Sequence, residues 1–273
     1  MLGYPDLAQQ RSYEALALAR ELSHPYDVVF ALNQTVVLHQ LRREGRLAYE
    51  RAEEVLTFCT EQGFTQQLAM GTILQGWGLA AQGHGDKGIA QMHQGLAASQ
   101  AAGIGLGRVP VLAQLAEAYG RTGQTEEGLC LLAEALAVMD HTRERWWEAE
   151  VHRLTGELLL AQEDTPQKWV QAEACFRYAL EVARHQQAKS LELRAAMSMS
   201  RLWQRQGRCA AAYHLLVEIY SWFTEGFDTV DLQEAKVLLK ETGGIMSMAK
   251  LSGRERLHVL PPVGEATHSG SHW

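Results

Sequence analysis

The sequence predicts an all-α fold, an α-solenoid in which antiparallel helix pairs stack into a right-handed superhelix. Three observations predict it. Ala, Leu, Gln and Glu are abundant and only 6 of the 273 residues are Pro, a composition that favours helix throughout. A ladder of small and large residues recurs with a period of about 40 residues, the mark of a repeat architecture. Glycines stand between the helical stretches, where a chain stops and reverses most easily.

The ladder is carried by six segments. Its first position reads Ala8, Ala48, Gly88, Gly128, Ala172 and Ala212. Four residues on come Ser12, Ala52, Met92, Leu132, Phe176 and Leu216. Seven on come Ala15, Val55, Gly95, Ala135, Ala179 and Ile219, and eight on Leu16, Leu56, Leu96, Leu136, Leu180 and Tyr220. Offsets of four, seven and eight lie on one helical face, and small residues there let another helix approach closely. Each segment is therefore the second helix of a pair, at roughly 6–22, 46–62, 86–102, 126–140, 167–186 and 208–223. First helices fall between them, at roughly 28–44, 67–82, 108–122, 143–162 and 190–206.

Turn chemistry agrees with this division. Gly45, Gly83, Gly123 and Gly207 are expected at the reversals. In the fourth pair the turn lengthens to EDTPQ, where Thr165 reads as an N-cap and Pro166 as the first helical residue. Pro25, Gly63, Gly103 and the stretch 140–142 mark the outer loops. Asp228 and Thr229 begin a last amphipathic helix, with Val230, Leu232, Ala235, Leu238 and Leu239 on its apolar face, which is expected to cap the stack. The solenoid accordingly spans 1–241. Residues 242–273 hold Gly, Pro, Ser and His without a period and are expected to form a disordered tail. The first segment has no first-helix partner of its own, so Leu7, Ala8, Ala15 and Leu16 are expected to be partly uncovered.

The pattern resembles tetratricopeptide (TPR) repeats. Gly76 and Leu79 with Gly88 and Gly95 match that family's small-and-large signature, as do Ala116 and Tyr119 with Gly128 and Ala135. Gly156 with Ala172 and Ala179 matches in part, and Ser200 and Trp203 with Ala212 match except for the large Ile219. The usual terminal proline is absent and the period exceeds the 34 residues of the standard repeat. HEAT and armadillo repeats have periods near this one but do not require the Gly/Ala ladder. Two stretches, ERWWEAEVHRLTGELLL at 144–160 and SWFTEGFDTVDLQEAKVLL at 221–239, resemble the C-terminal TPR arm of bacterial signalling proteins. Those proteins place a class III nucleotide cyclase and a P-loop ATPase module ahead of the arm. The resemblance implies a non-catalytic interaction or sensing arm in the bacterial cytoplasm, whose upstream effector domain is absent from this chain.

Composition and motifs point the same way. The net charge of −7 argues against nucleic acid, since phosphate binding rewards a basic excess. No stretch approaches the roughly 18 apolar residues of a membrane span, and MLGYPDLAQQ does not read as a signal peptide. Cys59, Cys130, Cys175 and Cys209 lack metal or disulfide spacing, and Cys130 and Cys175 read as small core residues. There is no GxxxxGK[ST] and no HExxH; the GxGxG at 103–107 follows no strand and reads as a connector. The tail histidines His258, His268 and His272 have no Cys or carboxylate partner. No catalytic residue, metal or cofactor is expected.

Binding residues are expected on the concave face, which the first helices line in TPR arrays. By family register these are His39, Arg42 and Arg43; Trp77; Glu117 and Arg121; Glu150, Arg153 and Glu157; then Arg194, Arg201, Gln204 and Arg205. The arginines suit an acidic peptide, because a guanidinium forks onto carboxylates; alternatively they are solvated and locally paired, as the Arg153–Glu157 spacing suggests. The adjacent Trp146 and Trp147 read either as one core and one junction residue, or as a ligand platform beside Arg145 and Arg153. The functional alternative to a protein-binding arm is a small-molecule sensor, with a sugar or metabolite near Trp77, Trp146 and Trp147. The helical repeat arm of the bacterial maltose-regulon activator is a similar domain.

Overall fold

The computed structural model describes residues 1–103 and 107–256, with side chains up to Gly244. Among the described residues there are twelve helices and no strand. They are α1 (Pro5–Leu22), α2 (Pro25–Leu41), α3 (Gly45–Gln62), α4 (Thr65–Ala81), α5 (Gly85–Ala101) and α6 (Arg108–Arg121). Then follow α7 (Thr125–Thr142), α8 (Glu148–Gln162), α9 (Pro166–His185), α10 (Lys189–Arg205), α11 (Cys209–Tyr220) and α12 (Val230–Arg256). The even-numbered helices form an inner layer, each packed on the next even one, while the odd-numbered helices lie outside against their sequence neighbours.

The ladder is what brings the layers together. From the second copy onward its first three positions are all buried, and the fourth is at least half-buried. Where α4 crosses α5 the backbones nearly touch: a Cβ on Gly88 would lie 2.5 Å from the Gly76 carbonyl oxygen and 2.6 Å from the Ala80 nitrogen. In α1, which has no preceding inner helix, Leu7, Ala8 and Ala15 are exposed; Leu16 and Ala19 alone are buried in the helix.

Several local expectations change. Gly45 begins α3 instead of ending a helix, and the left-handed turn residue is Arg43, at φ 61°. The Arg43 guanidinium is anchored by two carboxylates of α12, at 3.1 and 3.0 Å. Helix α8 starts at Glu148 and not near 143, since α7 runs on to Thr142 and Arg143 ends it in a left-handed cap. The Thr165 cap is present, its hydroxyl accepting from the Lys168 N–H with Pro166 at the first helical position. Cys59 is buried, which pushes its thiol up to about 11, whereas Cys130 is exposed and not a core residue. The last helix runs past the boundary expected at 241, through Gly243 and Gly244 to Arg256. The sequence IMSMAK that follows is rich in good helix formers. The rest of the expected tail, 257–273 with its three histidines, and 104–106 of the GxGxG stretch lie outside the described residues.

The two ends of the solenoid meet. The Ser190 N–H donates to the Met1 carbonyl at 3.0 Å, and the Gly226 N–H to the Asp6 carboxylate at 2.9 Å. Glu225 accepts from the backbone N–H groups of Asp6 and Leu7, both at 3.0 Å, and so sits on the N-terminus of α1. Tyr4 packs on Trp222, and a Cβ on Gly3 would strike the Trp222 ring at 2.5 Å. Arg42, almost wholly buried, reaches Glu44 at 2.8 Å, Asp6 at 3.3 Å and Asp228 at 3.5 Å. The inner layer is thereby closed into a ring.

Candidate binding lumen

Closing the ring turns the concave face into a central lumen with a cavity of about 100 Å³. Its wall draws on the inner helices and on Trp147, which immediately precedes α8. Charges dominate it, and they are paired. Arg153 donates to Glu150 at 2.7 Å, and Arg194 reaches Glu150 at 3.4 Å and Asp231 at 2.7 Å. Arg43 bridges Asp231 and Glu234, Arg201 contacts Glu234 at 2.9 Å, and Arg121 pairs with Glu117 at 2.7 Å one turn away. Arg194 also donates to the Leu41 carbonyl at 2.7 Å, tying α10 to the end of α2.

Burial alone would push the Glu150 carboxyl upward, but Arg153, Arg194 and Arg43 outweigh it and hold it at about 2. Burial likewise works against the charges of Arg153 and Arg194, and the carboxylates around them raise both above the usual guanidinium value. Glu150, Arg153 and Arg194 thus hold one another in the charged form. Trp77 and Trp147, both nearly buried, cover the apolar part of the wall together with Leu154 and Met197. Among the described residues no group of His, Cys, Asp and Glu side chains is arranged to hold a metal ion. No helix there is long and apolar enough to cross a membrane.

The fold is similar to that in a crystal structure of BtubC (BKLC) from P. vanneervenii, with a TM-score of 0.54 at 15% identity, over 98% of this chain and 98% of that one. A crystal structure of nearly identical TPR-like repeats from Podosopora anserina aligns with a TM-score of 0.49 at 16% identity, over 71% of this chain and 93% of that one. No family model matches the sequence, and no curated protein does. The fold is a TPR-like α-solenoid.

Within this TPR-like ring the expected groove residues separate. Trp77, Glu117, Arg121, Arg153 and Arg201 line the lumen, as do Arg43, Glu150 and Arg194. His39 does not: it is fully buried between α1 and α2, with Nδ1 2.6 Å from Glu44 and Nε2 3.2 Å from the Tyr13 hydroxyl. Arg42 also leaves the groove, drawn into the seam by Asp6 and Asp228. Arg205 sits at the far end of α10, paired with Asp164 and over the Trp169 ring. Glu157 bonds Arg153 and Ser198 outside the cavity wall.

The tryptophan pair splits as well. Trp147 is in the core and lines the lumen, whereas Trp146 is 43% exposed and donates to Glu144. Arg145 is held by Asp140 and Glu148, so the pair forms no platform with it. The local-pairing alternative describes the inner arginines: every lumen arginine has a carboxylate of this chain within 3.5 Å. Gln40, Gln114, Asp231 and Glu234 were not expected in the site. The first two lie on inner-helix faces that periodicity alone marks, and the acidic pair belongs to a helix that reads as a cap.

Proposed function

We propose that the chain is a non-catalytic protein-interaction arm, of the kind carried by bacterial signalling and regulatory proteins, and that a protein partner docks on the exposed apolar side chains of α1 and α2. The observation behind this reading is the distribution of exposed apolar side chains. Of fourteen large hydrophobic residues exposed among those described, eight lie within the first thirty positions. Leu18 and Leu22, one turn apart on α1, are 56% and 65% exposed, and Tyr26 and Phe30 on α2 are 44% and 52% exposed. Scattered exposed leucines are ordinary, but a concentration of this kind marks an interaction surface. The inner arginines, by contrast, are satisfied within the chain, so an acidic peptide in the groove is not the reading favoured.

The test is affinity capture from the native host with Leu18→Glu/Phe30→Glu, beside Val170→Glu as a control on an exposed residue of α9. Partners retained by the parent chain and the α9 variant should be lost from the α1–α2 variant, with helicity unchanged by circular dichroism. Equal retention by all three would reject the surface.

A further inference from the structure

On the proposed reading of α1 and α2 as an interaction surface, we propose that the partner on α1 is a second copy of this chain, whose own α1 packs across the first antiparallel. Later repeats show what the open face of α1 is shaped to hold. Their outer helices receive the preceding inner helix on the first and third ladder positions. A Cβ on Gly128 of α7 would lie 3.0 Å from the Ala116 carbonyl oxygen, and one on Gly95 of α5 2.8 Å from that of Ala69. The same positions on α1 are Ala8 and Ala15, and both are exposed. Leu18 and Leu22 continue the stripe three and seven residues beyond Ala15, on one helical face, and are 56% and 65% exposed. Leu7 flanks it at 45%. Leu16 and Ala19, on the adjacent side, are buried in the core shared with α2, and among the described residues α1 packs on no other helix.

The stripe is complementary to itself. Its large residues, Leu18 and Leu22, lie toward the C-terminus of α1, with small Ala8 toward the other end and Arg11 and Glu14 between them. Turned end for end about a point near residue 13, it sets each Leu18 over Ala8 of the second copy and each Arg11 over that copy's Ala15, so that side chains fill the space beside small residues. The charges match in the same register. Arg11 and Glu14 are paired within the helix at 2.8 Å, with side chains 71% and 49% exposed, and such a surface pair is worth little alone. Across the two-fold axis each Arg11 also faces Glu14 of the second copy, which makes a cluster of four charges alternating in sign. A parallel pairing in register would instead set Arg11 against Arg11 and Glu14 against Glu14. Of the other charged residues of α1, Asp6 pairs with Arg42 and Arg20 with Glu54, while Glu21 points about 100° away from Leu22. An isologous contact requires self-complementarity of this kind.

Sedimentation and light scattering of the full chain across the micromolar range test this. A dimer of twice the 30.4 kDa chain mass should accumulate as concentration rises. Leu18→Glu should abolish it, with helicity unchanged by circular dichroism. Arg11→Glu and Glu14→Arg each set like charges against one another at the axis, and each alone should weaken self-association roughly tenfold. An equimolar mixture of those two variants should regain the parental affinity as a heterodimer, a rescue that a merely structural effect of either substitution would not give. A chain that stays monomeric throughout would overturn the proposal. So would a dimer indifferent to the three substitutions, or a mixture that associates no better than its components. The broader reading fails separately: a monomeric chain that still retains a host protein through Leu18 and Phe30 keeps its α1–α2 interaction surface, with another occupant.

Discussion

At the scale of single residues, two glycines with the same ladder position differ in what they face. A Cβ on Gly128 would meet the Leu158 methyl at 2.7 Å and the Ala116 carbonyl oxygen at 3.0 Å, and the methyl can turn away. A Cβ on Gly88 would meet backbone atoms of α4 at 2.5 and 2.6 Å, which move only if the helices part. Overpacking of this kind costs about 1–3 kcal/mol. Gly88→Ala should therefore fall at the upper end of that range in urea unfolding, with Gly128→Ala clearly milder. The reverse order would mean that α4 and α5 do not cross where the ladder puts them. The position was legible in the sequence because smallness recurs there; which glycine is the tighter depends on the neighbour's atoms, which no periodicity encodes.

At the scale of elements, the inner helices α2, α8, α10 and α12 are joined through Glu150, Asp231 and their arginines. Glu150 titrates at about 2 in the fold against 4.5 for the free group, a difference worth on the order of 3 kcal/mol. The sign follows from the depressed value: this stability is fully present above the unfolded value and is lost as pH falls from about 4.5 to about 2. Glu150→Gln should flatten the stability–pH curve across that window, while lowering stability at pH 7. A curve of unchanged slope would show that the network does not hold Glu150 ionised. Helix existence was readable for all twelve elements, the first eleven from a 3.6-residue period and repeating turns, and the last from its apolar face after Asp228 and Thr229. The start of α8 was not: its two tryptophans continue a helical pattern, yet tertiary burial of Trp147 and the left-handed Arg143 end the preceding helix first.

At the scale of the whole molecule, closure of the ring rests on contacts between residues nearly two hundred positions apart. Asp231 holds both Arg43 and Arg194 and is itself mostly buried. Removing one member of a buried ion pair leaves its partners uncompensated, which costs about 3–5 kcal/mol. Asp231→Ala should lower unfolding stability by about 3 kcal/mol. It should also raise the radius of gyration in solution scattering, with helix content retained. A destabilised chain of unchanged radius would mean that the remaining seam contacts at Asp6, Glu225 and Trp222 hold the ring on their own. His39 and Arg42 illustrate the same point for the site. Family register assigned them to an open groove, and the seam claimed Arg42 while α1 buried His39.

The sequence by itself determined the repeat and the helix pairing, because these follow from local periodicity and from small residues at fixed offsets; the layer of each paired helix followed from the TPR resemblance, and that of α12 did not. The register of the TPR resemblance pointed to Trp77, Glu117, Arg121, Arg153 and Arg201, which line the lumen, and equally to His39, Arg42, Glu157 and Arg205, which do not. Only the tertiary structure decided that the stack meets its own beginning, and therefore that the inner arginines find their carboxylates within the chain. Closure depends on a small rotation accumulated over every repeat, and on ion pairs from Arg42 and Arg43, in the turn after α2, to Asp228, Asp231 and Glu234 that carry no signal along the chain. That same accumulation brings Gln40, Gln114 and Trp147 to a single cavity.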